Sequence, residues 1–207
     1  PHLWKLCVDV VDYLRPKTFV FENVERFTSF QKGEHFQAML SRLHEMSCYE
    51  VHYSMLNSKD CGVPQNRKRL FLVGIRKDCI KRKFEWPAKV TCTTRCVDLL
   101  DTNIDSKKYK AYPSHESRLS RLEFAKDVEG ILNLNSVGLH ASWYHKKGLK
   151  MPHPARNDIC PTMPFTPPGL YCNHEERVLT GIECLRLMGF RKGELLLPAY
   201  LKETNLK

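Results

Sequence analysis

Residues 19–27 read FVFENVERF, and this stretch decides the fold. Lys17 to Phe21 is rich in strand-forming residues and is predicted to be a short buried strand, which places Glu22 and Asn23 at its carboxyl end. Ligands of α/β sheets bind at that end of the strands. Glu22 is therefore a candidate acid or hydrogen-bonding group, and Asn23 is a candidate for bracing an adjacent loop. An ordinary, well-satisfied turn is the alternative interpretation of both residues.

Helices are predicted on both sides of this strand. From Leu3 to Leu14 the apolar residues recur at the spacing of one helix face, and Arg15-Pro16 ends the helix because proline disfavours helical geometry at the preceding residue. The residues on that face are Leu3, Leu6, Cys7, Val10, Val11 and Leu14. The same spacing predicts a second helix from about Gly33 to Met46, on the evidence of Phe36, Met39, Leu40 and Leu43.

Two more strands follow the second helix. Tyr49 to Leu56 is rich in strand formers, the polar loop Asn57 to Gln65 comes next, and Leu70 to Ile75 is continuously apolar. Alternating helices and strands predict an α/β fold with a layered sheet. The last strand is expected to be antiparallel, because the connection before it has no room for a crossover helix.

The character of the sequence changes after Ile75. Cations cluster at Arg76-Lys77 and at Lys81-Arg82-Lys83, and a domain boundary is expected between about Arg76 and Trp86. A smaller, loop-rich module follows, with one possible helix within Ser114 to Leu132. Regular structure returns at Thr180, where the pattern of a capping box predicts a helix that ends near Gly189.

Composition limits the classes of function. The chain has 207 residues, of which 42% are hydrophobic and 27% charged, as expected for a globular protein. Its longest apolar run is far shorter than the ~20 residues of a membrane span, so no membrane partner is expected. The formal charge of +10 favours a nucleic-acid partner, although a solvated basic surface would give the same value. Nine scattered cysteines and no secretory signal predict reduced thiols in the nucleus of a eukaryote or otherwise in the cytoplasm.

Residues 65–69 read QNRKR and place three cations just before a strand. Strand alternation puts Arg67 and Arg69 on the same side. Two guanidinium groups there could clamp a phosphate and a carbonyl oxygen, since each offers a fork of donors and stays charged. A solvated edge strand blunted by charge is the alternative.

Three ordered blocks now resemble one family, the cytosine-5 DNA methyltransferases. They are FVFENVERF at 19–27, LNSKDCGVPQNRKRLFLVG at 56–74 and RVLTGIECLRLMGF at 177–190. The first carries a Glu-Asn-Val motif and the second a Gln-x-Arg-x-Arg motif, and the third is similar to the helix that returns to the catalytic domain after target recognition. The resemblance implies a Rossmann-like class I methyltransferase sheet. It also implies transfer of methyl from S-adenosylmethionine to carbon 5 of a cytosine flipped out of DNA.

The resemblance also implies roles for individual residues. Glu22 would interact with ring nitrogen 3 and the exocyclic amine of the cytosine, and Arg69 would hold the carbonyl at position 2. Asn23 would support the loop that bears the nucleophilic cysteine. Arg67 would bind backbone phosphates or lie at the boundary between the two domains. Together with Lys68 and Gln65, it is a candidate for binding nucleic acid.

Several family motifs are not in position. The glycine-rich cofactor motif and the Pro-Cys nucleophile motif precede Glu-Asn-Val in the family, and an Asn-Ser-Val motif follows the last helix, whereas Asn135-Ser136-Val137 comes before it here. The resemblance thus implies the C-terminal half of a catalytic domain at 1–78, a target-recognition module at 79–174, and the returning helix and tail at 175–207. The S-adenosylmethionine site would lie mostly outside this chain, with no cofactor-binding residue in it. The missing N-terminal half would be a partner, and the chain alone would be inactive.

Other residues of the sequence suggest further sites, each with a weaker signal. Cys61 is a poor candidate nucleophile, because a structural thiol is the commoner role of cysteine. A tetrahedral zinc site would take four ligands from Cys92, Cys96, Cys160, Cys172 and His174, but their spacing is loose, so no metal is predicted. Trp143 to Lys147 mixes aromatic residues with cations and could contact DNA.

Two alternative functions stay open. One is a DNA-binding split or degenerate subunit, and the other is a tRNA cytosine-5 methyltransferase, which the absence of a Cys-Phe-Thr tripeptide disfavours.

Overall fold

The computed structural model describes residues 3–102, 104, 137–139, 159–163, 170–172, 177–191 and 194. Contacts divide the chain into two units. The first comprises Pro1–Asn57 and Lys68–Lys89, and the second comprises Ser58–Arg67 and Val90–Lys207. The predicted domain limits at 78 and 174 stay a prediction. The predicted helix within 114–132 and the segment 143–147 lie outside the described residues.

The helices and strands are as follows in chain order: α1 (Leu3–Leu14), β1 (Thr18–Val24), α2 (Glu34–Glu45), β2 (Tyr49–Asn57), β3 (Gln65–Asn66), β4 (Lys68–Arg76), β5 (Val137–Leu139), β6 (Cys160–Pro161), β7 (Leu170–Cys172), β8 (Arg177–Val178) and α3 (Gly181–Leu187). The helices and strands predicted before Ile75 are all present. None of the described helices is long and apolar enough to cross a membrane.

The first unit is built on a sheet with the strand order β1-β4-β2. Both outer strands pair antiparallel with β4, which confirms the orientation predicted for that strand. Glu22 lies opposite Phe71 and Val24 lies opposite Arg69. Among the described residues, β1 pairs with no strand on its other side. The carboxyl end of β1 therefore meets the amino end of β4 at an open edge of the sheet.

The core of this unit lies between the sheet and the two helices. Its buried residues are Trp4, Val8, Val11, Phe19, Phe36, Met39, Leu40, Leu43, Met46, Tyr49, Leu70 and Leu72. The four residues predicted for the buried face of α2 are all in it. The face predicted for α1 is mostly wrong. Of its six residues only Val11 is buried and Cys7 is half-buried. Leu3, Leu6, Val10 and Leu14 are exposed, while Trp4 and Val8 are buried. Apolar residues occur all round this helix, so spacing alone does not select the face that packs on the sheet.

The second unit contains a parallel pair of strands, β3 and β6, and an antiparallel sheet with the order β5-β7-β8. Its small core is formed by Cys96, Cys160, Leu179 and Leu187. Thr180 caps α3 as predicted, since its side chain accepts from the Glu183 amide and the Glu183 side chain accepts from the Thr180 amide. Gly189 follows the helix at φ +100°, the left-handed conformation that favours glycine at a helix end.

Candidate functional site

Glu22 and Arg69 meet where β1 ends and β4 begins. Because Arg69 lies opposite Val24, it is the diagonal neighbour of Glu22 on the same face of the sheet. Arg69 Nε lies 2.8 Å from Glu22 Oε1. The structure therefore brings together the two residues that strand-end position and motif singled out separately.

The two members of this pair differ in their surroundings. The Arg69 side chain is 17% exposed and that of Glu22 is 46% exposed. Arg69 Nη1 also donates to the carbonyl oxygen of Lys68 at 2.7 Å. The guanidinium group is thus held at two points, whereas the carboxylate has room to turn. Together, the Glu22 carboxylate offers a hydrogen-bond acceptor and the Arg69 guanidinium offers a hydrogen-bond donor. A planar group with a donor beside an acceptor would match both.

Asn23 is half-buried on the opposite side of the strand. Its Oδ1 accepts a hydrogen bond of 2.9 Å from the backbone amide of Val24. The side chain therefore braces the end of its own strand. Its predicted support of a neighbouring loop stays a prediction.

Lys68 forms a second ion pair at the same end of the sheet. Its Nζ lies 3.2 Å from Glu25 Oε1, and both side chains are about half exposed. Pairs with this exposure contribute little to stability and are screened by salt. Lys68 can therefore exchange Glu25 for another anion at little cost.

Gln65 and Arg67 belong to the second unit. Gln65 is only 1% exposed, and its Nε2 has no hydrogen-bond partner among the described residues. Its carbonyl oxygen accepts from Ser58 Oγ at 2.5 Å. Arg67 is half-buried, and its carbonyl oxygen accepts from the Ser58 amide at 3.1 Å. Both residues help to fix the loop that begins at Ser58, and their contact with nucleic acid stays a prediction.

The cysteines considered for catalysis or metal binding have separate surroundings. Cys61 is exposed at the surface, and its amide donates to Ser58. Cys96 is buried and donates to the carbonyl oxygen of Pro64, while Cys92 donates to that of Thr94. In the part of the chain that the structure describes, which does not include His174, no cluster of three or more possible metal ligands occurs.

A buried charged cluster in the second unit was missed by the sequence analysis. Arg177 and Glu183 are both fully buried, and two hydrogen bonds of 2.7 and 2.8 Å join the guanidinium group to the carboxylate. Glu183 also accepts from the amides of Thr180 and Asp101 at 2.8 and 2.9 Å. Arg186 donates to the side chain of Asp101 and to the carbonyl oxygen of Leu99. The capping box was the only sequence signal for this cluster.

The surroundings of the cluster shift the pKa of Glu183 and that of the neighbouring Cys184. Burial acts to raise the pKa of Glu183, but the hydrogen bonds from Arg177, Thr180 and Asp101 outweigh it and hold the pKa below the ordinary value. The neighbouring thiol of Cys184 has no such donors. Burial, with the charge of Glu183, raises the pKa of Cys184 to about 11. This carboxylate stays charged at neutral pH, and this thiol stays protonated.

Known proteins resemble the chain in both sequence and fold. The profile of the C-5 cytosine-specific DNA methylase family matches residues 2–193. The type II methyltransferase M.MthTI of Methanothermobacter thermautotrophicus is 32% identical over 207 residues, which cover 88% of this chain and 58% of that protein. The orphan methyltransferase M.SPRI of Bacillus phage SPR is 30% identical over 177 residues, covering 69% of this chain and 40% of that protein.

Solved structures extend the likeness in fold. The Entamoeba histolytica methyltransferase EhMeth superposes with a TM-score of 0.51 at 19% identity, over 96% of this chain and 59% of that one. The Schizosaccharomyces pombe Dnmt2 methyltransferase gives a TM-score of 0.51 at 15% identity, over 94% and 63%. These matches confirm the predicted fold class. The chain spans less than two thirds of the length of each of these four proteins.

Proposed function

Because the chain belongs to the C-5 cytosine-specific DNA methylase family, we propose that it is the base-binding part of an enzyme that methylates carbon 5 of cytosine in DNA. The contact of 2.8 Å between Glu22 and Arg69, within the stretch that matches the family, carries this proposal. Both residues belong to the motifs on which the resemblance rests, and both are partly exposed to solvent.

The chemistry of the pair fits one edge of cytosine. That edge presents, in order, an exocyclic amine that donates, a ring nitrogen that accepts and a carbonyl oxygen that accepts. Glu22 would accept from the amine and share a proton with the ring nitrogen, and Arg69 would donate to the carbonyl oxygen. When a nucleophile attacks carbon 6, electron density moves towards that carbonyl oxygen. The positive charge of Arg69 stabilises this density, so the contact between Arg69 and the oxygen strengthens as the reaction proceeds.

The unequal burial of the two side chains supports this use. Arg69 is held by Lys68 and is mostly buried, so its donors are oriented before a base arrives. Glu22 is the more exposed member and can turn from Arg69 to the base without breaking a buried ion pair. The base thereby replaces one charge-assisted hydrogen bond with several.

The family uses S-adenosylmethionine as methyl donor, but the described residues do not provide a site that fits it. The connection from β1 to α2 carries two 3₁₀ turns and a single glycine rather than a glycine-rich turn. A cavity of about 280 Å³ beside α1 and α2 is lined mainly by charged groups, including Asp12, Arg15 and Arg42. It lies beside the residues that precede β1, at the end of that strand opposite to Glu22. We therefore propose that another part of the protein binds the methyl donor. Because no Pro-Cys dipeptide occurs in this sequence, we propose that the nucleophilic cysteine lies there as well.

The surface of the first unit offers a place for that part. Leu3, Leu6, Val10, Tyr13 and Leu14 expose an apolar face on α1. Val20 and Val24 are exposed on β1, whose outer edge has no strand partner among the described residues. Exposed apolar surface beside an open strand edge is typical of an interface. We propose that the N-terminal half of the catalytic domain covers it and completes the enzyme.

Methyl transfer from labelled S-adenosylmethionine tests this function. The chain is assayed alone and with a polypeptide that supplies the glycine-rich and Pro-Cys motifs, on duplex DNA and on tRNA. We expect label at cytosine carbon 5 of DNA only when both parts are present. Label on tRNA alone would support the RNA-modifying alternative. DNA binding without transfer by the complete assembly would support the degenerate subunit.

A further inference from the structure

We propose that the cationic segment, residues 77–83, binds the phosphate backbone of duplex DNA at a place separate from Glu22 and Arg69. The choice of DNA as the partner rests on the proposed function. The segment reads KDCIKRK and follows the last residue of β4. Nothing in the proposed catalytic step uses it.

The four cations of the segment, Lys77, Lys81, Arg82 and Lys83, are all exposed. Among the described residues, none of their side chains forms an ion pair or a hydrogen bond. The single acid of the segment, Asp78, is occupied by Arg76. Neighbouring cations without counter-charges repel one another, and an external polyanion relieves this repulsion.

The amino-terminal end of the segment is fixed to the sheet. Arg76 Nε and Nη2 lie 2.7 and 3.1 Å from the two carboxylate oxygens of Asp78, and Nη1 donates to the carbonyl oxygen of Arg15 at 2.6 Å. The Lys77 amide donates to the carbonyl oxygen of Cys48 at 2.8 Å. The segment therefore leaves β4 in a defined direction.

The carboxyl-terminal end is fixed by aromatic rings. Phe84 stacks on His52 of β2 with ring centroids 4.5 Å apart and planes 25° apart. Trp86 packs edge-on against Phe84 at 5.0 Å. A cationic loop anchored at both ends loses less conformational freedom on binding than a free tail, so more of its electrostatic attraction is realised as affinity.

The composition of the segment favours nucleic acid over a membrane surface. Cationic segments that bind lipid place exposed apolar side chains beside the cations. Here Cys79 and Ile80 are half-buried, and no exposed side chain of the segment is apolar. Arg and Lys both bind phosphate, and together with the net charge of +10 this matches a phosphate backbone.

The segment lies at the end of β4 opposite to Arg69. Arg76 lies seven positions after Arg69 along β4, and at about 3.3 Å per position this is roughly 23 Å. The segment therefore does not reach the nucleotide held by Glu22 and Arg69. Its contribution is affinity without sequence preference, which falls with salt concentration.

The test compares two triple variants of the chain. Lys81→Gln, Arg82→Gln and Lys83→Gln are combined in one protein, and Lys5→Gln, Lys17→Gln and Lys32→Gln in the other. All six residues are exposed in the first unit, so both variants lose the same charge. Affinity for labelled duplex DNA is measured by fluorescence anisotropy between about 50 and 200 mM NaCl. Circular dichroism verifies folding.

We expect the segment variant to bind at least about tenfold more weakly at the lowest salt, and its log–log salt slope to become shallower by about 2 to 3. The control variant should change the slope by less than about 1. Equal effects of the two variants would assign the binding to net charge and overturn the proposal, as would unchanged DNA affinity in the segment variant. A loss confined to binding of anionic vesicles would also overturn it.

Measuring both DNA affinity and methyl transfer separates this inference from the proposed function. If DNA binding depends on the segment but the assembly transfers no methyl group, the proposed function is wrong and the proposed DNA contact stands. If methyl is transferred but the segment does not affect DNA affinity, the proposed DNA contact is wrong and the proposed function stands.

Discussion

Arg177 and Asp101 are 76 residues apart in sequence, yet both are bound by the carboxylate of Glu183. The carboxylate also closes the cap of α3 through Thr180. One buried acid thus joins the residues that flank a long stretch of chain to the helix that follows it. The hydrogen bonds that it accepts from Arg177, Thr180 and Asp101 are strongest while the carboxylate is charged.

We predict that Arg177→Met strongly destabilises the second unit. The substitution leaves the Glu183 carboxylate buried without its main partner, which typically costs about 3–5 kcal/mol. The free energy of unfolding by urea measures the effect. The matched control is Arg95→Met, which removes an exposed guanidinium from Asp98 in the same unit and should change stability little. Equal losses in the two variants would contradict the assigned role of the buried pair.

The pH dependence of stability should report Glu183. Its pKa is lower in the folded chain than its ordinary value of 4.5, so the unfolded chain binds the proton more tightly. The stabilisation is therefore complete above about pH 4.5 and is lost as the pH falls through the lowered pKa. In Glu183→Gln this part of the pH dependence should vanish. Urea midpoints of both proteins from pH 7 down to pH 3 test this, and a difference that stays constant over the range would disprove it.

The sequence predicted the local elements of the first unit because each has its own signal. Spacing gave both helices, Arg15-Pro16 gave the end of α1, and the length of the loop before β4 gave its direction. The face of α1 was not predictable, because Leu3, Leu6 and Val10 repeat as regularly as Trp4 and Val8 do. Burial on a particular sheet decides between them.

Part of the candidate site could likewise be predicted from the sequence, and part of it could not. Glu22 and Arg69 were singled out by strand-end position and by motif, but their contact depends on the register of β1 on β4, where a shift of one residue would turn Arg69 to the other face. The contact of Glu183 with Asp101 has no local signal. Neither spacing nor motif links residues so far apart.

Activity should depend on the Glu22–Arg69 pair far more than DNA affinity does. In the complete enzyme, Glu22→Gln and Arg69→Ala should each lower turnover by about 10²–10³-fold, because both groups act on the reacting base. DNA affinity should change by less than about tenfold. Single-turnover methyl transfer and equilibrium binding provide the two measurements.

Two variants at other exposed ion pairs serve as controls for that comparison. Glu25→Gln removes an equal charge from the adjacent exposed pair, and Arg42→Ala removes a guanidinium from an exposed pair between α1 and α2. Both should keep near-normal turnover. Turnover that survives in Glu22→Gln and Arg69→Ala alike would remove the assignment.

Thiol reactivity should separate Cys184 from Cys61. The pKa of Cys184 is raised to about 11, so only a minute fraction is thiolate at neutral pH, and its side chain is half-buried. Cys61 is exposed. Brief alkylation with iodoacetamide at pH 7.5, followed by peptide mass spectrometry, should label Cys61 well before Cys184. Faster labelling of Cys184 would show that the helix α3 opens readily, contrary to the buried cluster around it.

Close packing between β1 and β4 gives the last prediction. Gly74 lies opposite Phe19, and a Cβ atom at this position would overlap the Phe19 ring. Phe19 is itself fixed by Phe21 and Tyr49, with ring centroids 5.0 and 5.3 Å away, so it has little freedom to move. Gly74→Ala should therefore destabilise the first unit by about 1–3 kcal/mol, the usual cost of overpacking a core. Phe19→Leu removes the two ring carbons nearest to the added methyl group, so the double variant should lose less stability than the sum of the two single losses. Strictly additive losses in urea unfolding would mean that the glycine is needed for its backbone rather than for the space it leaves.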